Sequence, residues 1–363
     1  MTDWFENILV DKDKLHYKFK YLLDYQYNEE RNILKSWIKN FIIKDGKTKT
    51  IKEFQTTFHS TFFELYLNEV ILNSGATISN NVKSPDFYIK KEGINICVEA
   101  VIANIAEAGE PESTRTLSDI YGENDYYKIV DESIIRTLGA ITGKLKKYPQ
   151  YAKSDFVKND SFIIALADFS QVNYGQSYFY PLLAILYQAY YDPDEKTDLK
   201  IYCNDSLDKQ YKYKDVHLKP NGNPLNLGLF SSDEYKHISA IIYTCTLTFG
   251  KLTSLSENHS IPRFIRLDRE NIDVLRYSGQ QSDESLCDGL FIFHNPFAEK
   301  PLPNNYFKGK GLTNILFNAE EYVIDIDCQD SSPLMRRRTG MKGDECIDMD
   351  DIDKFHFLPI LRK

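Results

Sequence analysis

The sequence predicts an α/β fold in which a helical N-terminal region precedes an extended mixed β-sheet. Three observations support this prediction. Apolar side chains recur at helical spacing over residues 52–74, and alternating side chains over residues 84–100 indicate a β-hairpin. The run SFIIALAD at 161–168 is typical of a buried strand. The chain has no internal repeat and no long linker, and its length suits one large α/β domain or two ordinary ones.

The composition is that of a globular protein with a substantial core, since 42% of the 363 residues are hydrophobic and 13% aromatic. The six cysteines are scattered, and the two nearest, Cys328 and Cys346, are 18 residues apart. This spacing excludes a CxxC site and gives no disulfide framework. The N-terminal segment lacks the features of a signal peptide, and no stretch approaches the roughly 20 apolar residues of a membrane helix. We therefore expect a cytoplasmic protein without a membrane partner.

The net charge of −9 is unfavourable for a nucleic-acid-binding protein. Its distribution is uneven, with basic clusters at 12–20, 144–153 and 336–338 and an acidic run at 344–353. Because the local field steers a polyanion more than the total charge does, this uneven distribution weakens the objection to a nucleic-acid partner without removing it.

We divide the chain into four regions. Residues 1–50 form the helical N-terminal region, whose best helix covers 33–43, and residues 51–191 form the core. Residues 192–330 hold an irregular insertion over 192–232 and then strands that extend the sheet, and residues 331–363 form a mobile polar tail. The predicted core begins with a helix over 52–74 that Gly75 ends, a strand over 76–79 and hairpin strands over 86–89 and 94–101. A helix over 125–148 that Pro149 ends, a strand over 161–168 and a helix over 178–190 follow. Strands over 237–246 and 289–293 are predicted to extend the sheet.

The hairpin prediction fixes its own register. A two-residue turn at Glu92 and Gly93 pairs residues whose numbers sum to 185. One face of the hairpin is then wholly apolar, and a slip of one residue would misalign both faces. The same register sets Asp86 directly opposite Glu99.

Directly opposed residues of a hairpin have Cβ atoms roughly 4.5–5.5 Å apart, a distance at which two carboxylates repel each other. A hard divalent cation with oxygen ligands, Mg²⁺ or Mn²⁺, would relieve that repulsion. The sequence therefore predicts a metal site at Asp86 and Glu99. The alternative is a pair of solvated acids on an exposed sheet face.

Glu64 on the helix, Ser84-Pro85-Asp86 on the first hairpin strand and Val98-Glu99-Ala100 on the second resemble the PD-(D/E)XK nuclease superfamily. That family has a restriction endonuclease-like core of helix, three-stranded meander, helix and strand, and the resemblance covers residues 52–170. It implies that Asp86 and Glu99 hold Mg²⁺, with Mn²⁺ as a substitute, and that Glu64 assists. The alternative for Glu64 is a boundary residue beside the apolar stripe of its helix.

The family's lysine lies two residues after the second acid, where this chain has Val101. Some members are thought to supply the lysine from the following helix. Arg136 and Lys144 share one face of the predicted helix at i, i+8 spacing, so we expect them to reach the site together and to stabilise charge on the phosphate. A solvated basic helix face is the alternative.

The resemblance implies a Mg²⁺-dependent DNA endonuclease that hydrolyses phosphodiester bonds, in restriction or defence against phage, with DNA as partner and a homodimer as a further expectation. One alternative is an inactive nuclease-fold module that binds nucleic acid or protein. A second is a metal-dependent hydrolase of a small phosphate ester that uses His294. The chain has no HxxxH, HExxH, GxxxxGK[ST], GxGxxG or GxSxG motif.

Three further polar residues stand beside predicted strands. His294 precedes an Asn-Pro turn signal and is either a base at a sheet edge or a strand cap, and we favour the cap. Asp168 and Gln171 follow the buried strand and would lie near the site only if the strand end does. We take chance placement as the default for both.

Overall fold

The structure is a computed structural model that describes residues 3–80, 84–107, 109, 111–114, 125–171, 174–192, 200–203, 206–208, 211–256, 263–267, 274–278 and 284–338. In these ranges the α-helices are α1 Tyr17–Leu23, α2 Asn28–Asn40, α3 Lys47–Thr56, α4 His59–Asn73, α5 Tyr126–Leu145, α6 Tyr148–Tyr151, α7 Asp155–Asn159, α8 Tyr180–Tyr187 and α9 Phe249–Leu255. The first strands are β1 Thr77–Ile78, β2 Phe87–Lys91, β3 Ile94–Asn104, β4 Ser161–Phe169, β5 Ala189–Tyr191, β6 Lys200–Cys203, β7 Ser206–Asp208 and β8 Tyr211–Tyr213. The later strands are β9 Val216–Leu218, β10 Pro224–Asn226, β11 Ala240–Thr244, β12 Arg263–Leu267, β13 Val274–Ser278, β14 Leu290–His294, β15 Thr313–Asn318, β16 Val323–Cys328 and β17 Leu334–Arg338.

The fold is α/β around a mixed sheet, as the sequence predicts. Ten strands of the described part of the chain form this sheet, in the order β1-β2-β3-β4-β11-β14-β15-β16-β6-β7. The strands β1, β2 and β3 form an antiparallel meander, and β4 then pairs parallel to β3. The predicted strands at 237–246 and 289–293 are confirmed as β11 and β14, which extend the sheet beyond β4.

Helices cover both faces of the sheet. Successive side chains of a central strand point to opposite faces, so both faces carry apolar side chains that need to be covered. On β3, Cys97 belongs to the core that contains α5 and α8, whereas Ile96 and Val98 belong to the core that contains α2 and α4. Every residue of β4 is buried, which confirms the buried strand predicted from SFIIALAD. The sheet is therefore the middle layer of three.

The helix predicted over 52–74 is in fact two helices, α3 and α4. The break falls at Phe58, which has a positive φ of 49°. Its buried ring packs between Phe54 and Phe62, with ring centroids 5.1 and 5.2 Å away. The aromatic stripe runs on across the break, so side-chain periodicity carries no sign of it. Gly75 ends α4 with a φ of 78°, as predicted.

The helix predicted over 125–148 ends earlier than the sequence predicts. Asp125 caps α5 by accepting hydrogen bonds from the backbone N–H groups of Tyr127 and Lys128. The helix ends at Leu145, and Pro149 lies in the first turn of the short helix α6. Proline suits that position because the first turn of a helix has no intrahelical partner for its N–H. Pro149 begins a helix here and does not end one.

Three predictions for the second half of the chain need correction. The helix predicted over 178–190 covers only Tyr180–Tyr187 and is followed by β5. The segment 192–232 is not simply irregular, since β6 joins the main sheet beside β16. The predicted tail begins with a strand, β17, which pairs with β12, and residues 339–363 lie outside the described residues. None of the described helices is both long and apolar enough to cross a membrane.

Candidate functional site

The hairpin of β2 and β3 brings Asp86 and Glu99 together, as its predicted register requires. Phe87 pairs with Val98, and Glu92 and Gly93 form the turn with positive φ values of 51° and 81°. Asp86 lies one residue before β2, and its backbone N–H donates to Glu99 Oε2 at 3.3 Å. The N–H of Ala100 donates to Asp86 Oδ2 at 2.7 Å. The two carboxylates are therefore held side by side.

Lys144 reaches both acids from helix α5. Its Nζ lies 2.7 Å from Glu99 Oε1 and 4.0 Å from Asp86 Oδ2. The Glu99 side chain is 6% exposed and that of Lys144 16%, so solvent screens this ion pair only partly. Helix α5, the helix after the hairpin, therefore brings a lysine into contact with the acid pair.

Arg136 does not join Lys144 at the site. Its Nε and a terminal nitrogen donate to the carbonyl oxygens of Asn104 and Ile105, at 2.7 and 2.9 Å. These carbonyls lie at the far end of β3, roughly 17 Å along the strand from Glu99 at ~3.3 Å per residue. Eight residues of α-helix cover about 12 Å, so positions 136 and 144 share a face but not a location. The predicted joint approach of Arg136 is therefore wrong.

Glu64 approaches from the other side of the sheet, on α4. It lines a cavity of ≈270 Å³ together with Asp86, Lys44 and Glu53. Burial, and then the negative charge of Asp86, raises the pKa of Glu64 to about 8. By contrast, Glu69 accepts a hydrogen bond from Asn40 at the surface. Glu64 is thus the acid of α4 that shares a cavity with Asp86, one of the two predicted metal ligands.

The electrostatics of the acid pair show excess negative charge. Burial, and then the charge of Glu99, raises the pKa of Asp86 to about 6, although Lys144 acts in the opposite direction. The raised pKa of Asp86, together with that of Glu64 in the same cavity, indicates a place where a cation would be stabilised. Asp86, Glu99 and Glu64 all offer oxygen atoms, the ligand type that suits Mg²⁺ or Mn²⁺, but the three carboxylates do not all lie within 4.8 Å of one another.

Sequence reasoning missed two residues of this site. The Tyr151 hydroxyl on α6 donates to Glu99 Oε1 at 2.7 Å, beside Lys144. Tyr151 lies on α6, beyond the end of α5 at Leu145, so no helical spacing from Lys144 indicates it. Lys44 donates to the Pro85 carbonyl at 3.0 Å, and burial lowers its pKa while Asp86 and Glu99 raise it. No sequence signal indicates Lys44, because it lies in a loop between α2 and α3.

The remaining candidates have structural surroundings. His294 is buried and its Nε2 lies 3.0 Å from Asn314 Oδ1, while burial lowers its pKa. Asp168 accepts hydrogen bonds from the Ser133 hydroxyl and the Ser170 N–H, both at 2.8 Å. Gln171 is buried and donates to the Ser170 hydroxyl at 3.3 Å. The favoured structural interpretation of His294 and the default for Asp168 and Gln171 agree with these contacts.

Asp168 also lies away from the acid pair along the sheet. The register of β3 and β4 pairs Asp168 with Ala103, whereas Glu99 pairs with Ile164.

Comparison of the chain with protein-family models, with curated proteins and with solved structures found no match.

Proposed function

We propose that this protein is a Mg²⁺-dependent DNA endonuclease that hydrolyses phosphodiester bonds, built on a restriction endonuclease-like core. One observation carries the proposal. Asp86, Glu99 and Lys144 come from three separate segments, and a carboxylate oxygen of each acid lies within 4.0 Å of Lys144 Nζ. Two acids and one lysine in contact are the charged groups that the resemblance to PD-(D/E)XK nucleases requires.

The order of elements gives independent support. Helix α4 is followed by the antiparallel meander of β1, β2 and β3, then by helix α5 and by strand β4 parallel to β3. This is the order of helix, meander, helix and strand that the resemblance implies. It is a property of the backbone and does not depend on the identity of any site residue.

The chemistry of the residues suits a divalent cation, and their carboxylates, which do not all lie within 4.8 Å of one another, would have to draw together around it. Asp86, Glu99 and Glu64 offer carboxylate oxygens, and the pKa values of Asp86 and Glu64 are raised to about 6 and about 8. A bound Mg²⁺ would lower the pKa of a water molecule and withdraw charge from the phosphate. Glu64 would then give up its proton, because a nearby positive charge favours the ionised carboxylate.

Each protein group has a separate task in the proposed reaction. Tyr151 and Lys144 both donate to Glu99 Oε1, which fixes the orientation of that carboxylate. The Lys144 ammonium supplies positive charge where negative charge develops on the phosphate. Lys144 would replace the lysine that the family places two residues after the second acid, since this chain has Val101 there.

The activity is tested with purified full-length protein on supercoiled plasmid and on single-stranded DNA, in Mg²⁺, in Mn²⁺ and in EDTA. Asp86→Asn and Glu99→Gln keep the shape of each side chain and remove its charge. We expect cleavage that needs the metal and falls at least about a hundredfold in both variants. Arg136→Met is the matched control on α5, because Arg136 contacts backbone carbonyls away from the acids.

The assay also separates the alternatives. Wild-type protein that binds DNA without cutting it would support an inactive binding module, which the absence of a lysine two residues after Glu99 and the net charge of −9 favour. Protein that neither cuts nor binds DNA would contradict the proposed substrate class. The alternative that uses His294 has no support, since that side chain is buried against Asn314. A role in restriction or phage defence and a homodimeric state belong to the proposal by resemblance alone.

A further inference from the structure

A second cluster of metal-ligating side chains lies outside the acid pair. His16 precedes α1, His59 is the first residue of α4, and Glu112 begins a 3₁₀ turn, Glu112–Thr114, that follows β3. One ligand atom of each residue lies within 4.8 Å of the other two. The three residues are far apart in sequence, so no motif spacing reveals them.

The distances suit a metal site in its metal-free form. His59 Nε2 and Glu112 Oε2 are 2.8 Å apart, a hydrogen-bond distance, and the widest separation in the cluster is below 4.8 Å. Tetrahedral zinc with bonds of ~2.0–2.1 Å places its ligand atoms about 3.3 Å apart. The His59–Glu112 separation is shorter than this value and no separation in the cluster exceeds 4.8 Å, so the three ligand atoms are already close to the spacing that a zinc ion needs.

We propose that His16, His59 and Glu112 bind one Zn²⁺ or a similar first-row divalent ion. Two imidazoles and one carboxylate are a known three-ligand set for zinc and leave a fourth position for water. Imidazole ligands favour zinc, cobalt or nickel over Mg²⁺. The cluster is therefore chemically distinct from the all-oxygen set of Asp86, Glu99 and Glu64.

The packing of the two rings supports the proposal. The His59 ring lies 4.2 Å from the Phe169 ring, and the His16 ring stacks on Phe58 at 5.6 Å. Both imidazoles are thus oriented by aromatic neighbours before any ion arrives. Pre-oriented ligands lose little freedom on binding, which favours affinity.

Two contacts of Lys18 oppose metal binding and must be accommodated. Its Nζ lies 2.5 Å from Glu112 Oε1, and its backbone N–H donates to His16 Nδ1 at 3.3 Å. Glu112 can bind an ion through Oε2 and keep Lys18 on Oε1, which makes the lysine an outer partner that orients the carboxylate. The contact to His16 is long for a hydrogen bond and is the weaker constraint.

A bound ion would have a structural effect. It would add a further link among α1, α4 and the turn after β3, which already meet through the Lys18–Glu112 and His59–Glu112 contacts. Because the three ligands meet only in the folded chain, binding would stabilise the native state by mass action. The melting temperature of the full-length protein should therefore rise with Zn²⁺ concentration.

The test uses Co²⁺ as a spectroscopic substitute for Zn²⁺ in EDTA-treated, full-length protein. We expect visible d–d absorption that saturates at one equivalent of Co²⁺ and is abolished by one equivalent of Zn²⁺. His16→Ala and Glu112→Gln should each weaken binding at least about a hundredfold, because loss of an outer-sphere partner alone costs about 10–100-fold. Circular dichroism verifies that both variants fold.

Two controls separate this site from the others. His237→Ala removes a histidine whose ring lies 4.1 Å from the ring of Tyr148, and this variant should bind Co²⁺ as the wild type does. Asp86→Asn should also keep the absorption, even if it abolishes DNA cleavage. The proposal is overturned if the wild type shows no saturable absorption, if His16→Ala and Glu112→Gln retain it, or if Asp86→Asn loses it.

Discussion

The ammonium of Lys144 lies 2.7 Å from Glu99 Oε1. Water has little access to this contact, because only 6% of the Glu99 side chain is exposed. This contact joins the C-terminal part of α5 to the middle of β3, and the second acid, Asp86, is 4.0 Å from the same ammonium. The lysine thereby balances charge that the hairpin concentrates. The same charge balance governs both the stability and the proposed chemistry of the site.

Lys144→Met should destabilise the protein, because Glu99 would remain buried without its counter-charge. Breaking a fully buried ion pair costs ~3–5 kcal/mol. We expect about 2–3 kcal/mol here, since Tyr151 still donates to Glu99 and Asp86 is 37% exposed. Urea unfolding measures the change. Lys147→Met, an exposed lysine just past the same helix, should stay within about 0.5 kcal/mol, and equal effects of the two substitutions would contradict the account.

Glu64→Gln should alter the pH dependence of stability in metal-free protein. Folding raises the pKa of Glu64 from 4.5 to about 8, so the native state binds its proton more tightly than the unfolded state does. Wild-type stability should therefore fall as pH rises between about 4.5 and 8. Glu64→Gln should remove about 1–2 kcal/mol of that fall after allowance for partial solvent screening. Unfolding curves at pH 5 and pH 8 test this, and parallel pH profiles of the two proteins would count against it.

Binding of Mg²⁺ at neutral pH should release protons. Glu64, with its pKa raised to about 8, is mainly protonated at pH 7 and must ionise to serve as a ligand. Calorimetric titration of Mg²⁺ in two buffers of different ionisation enthalpy should give different apparent heats in the wild type. The difference should shrink in Glu64→Gln. Identical heats in both buffers for the wild type would exclude Glu64 as a ligand.

Tyr151→Phe should weaken the orientation of Glu99 without removing its counter-charge. A hydrogen bond to a charged acceptor contributes ~1.5–3 kcal/mol, and we expect a loss of about 1–2 kcal/mol because Lys144 remains on the same oxygen. Tyr148→Phe on the same short helix is the control, since its ring packs on His237 and Phe162. Thermal or urea unfolding distinguishes the two, and similar losses would show that the Tyr151 hydroxyl has no special role.

The hairpin was predictable because its information is local. A turn at Glu92 and Gly93 and a strict alternation of side chains fix one register, and the register alone sets Asp86 against Glu99. Lys144 was predictable in the same way, from the face of a helix that must pack on the sheet. Local patterns therefore identified the two acids and the lysine at the centre of the site.

Longer-range features were not predictable from the same patterns. The break at Phe58 is invisible because Phe54, Phe58 and Phe62 keep one apolar stripe across two helices. Arg136 was expected beside Lys144 because the spacing of side chains shows which face of a helix a residue lies on. It does not show which part of the sheet that residue meets along the helix axis.

Residues contributed by distant segments follow from tertiary packing. Lys44 lies in a loop before α3, and the His16, His59 and Glu112 cluster combines three segments that no spacing rule connects. Only the assembled fold brings these side chains to their neighbours.

The most direct test of the central claim moves the lysine. Val101 lies two residues after Glu99 on the same face of β3 and packs against the core that contains α5. We compare plasmid cleavage in Mg²⁺ by wild type, Lys144→Met and the double variant Lys144→Met/Val101→Lys, with Lys147→Met as control. The account predicts a loss of at least about a hundredfold in Lys144→Met and recovery of at least about tenfold in the double variant, since the charge returns to the same acid pair. Cleavage by Lys144→Met at the rate of Lys147→Met would contradict the assignment of Lys144 to the site.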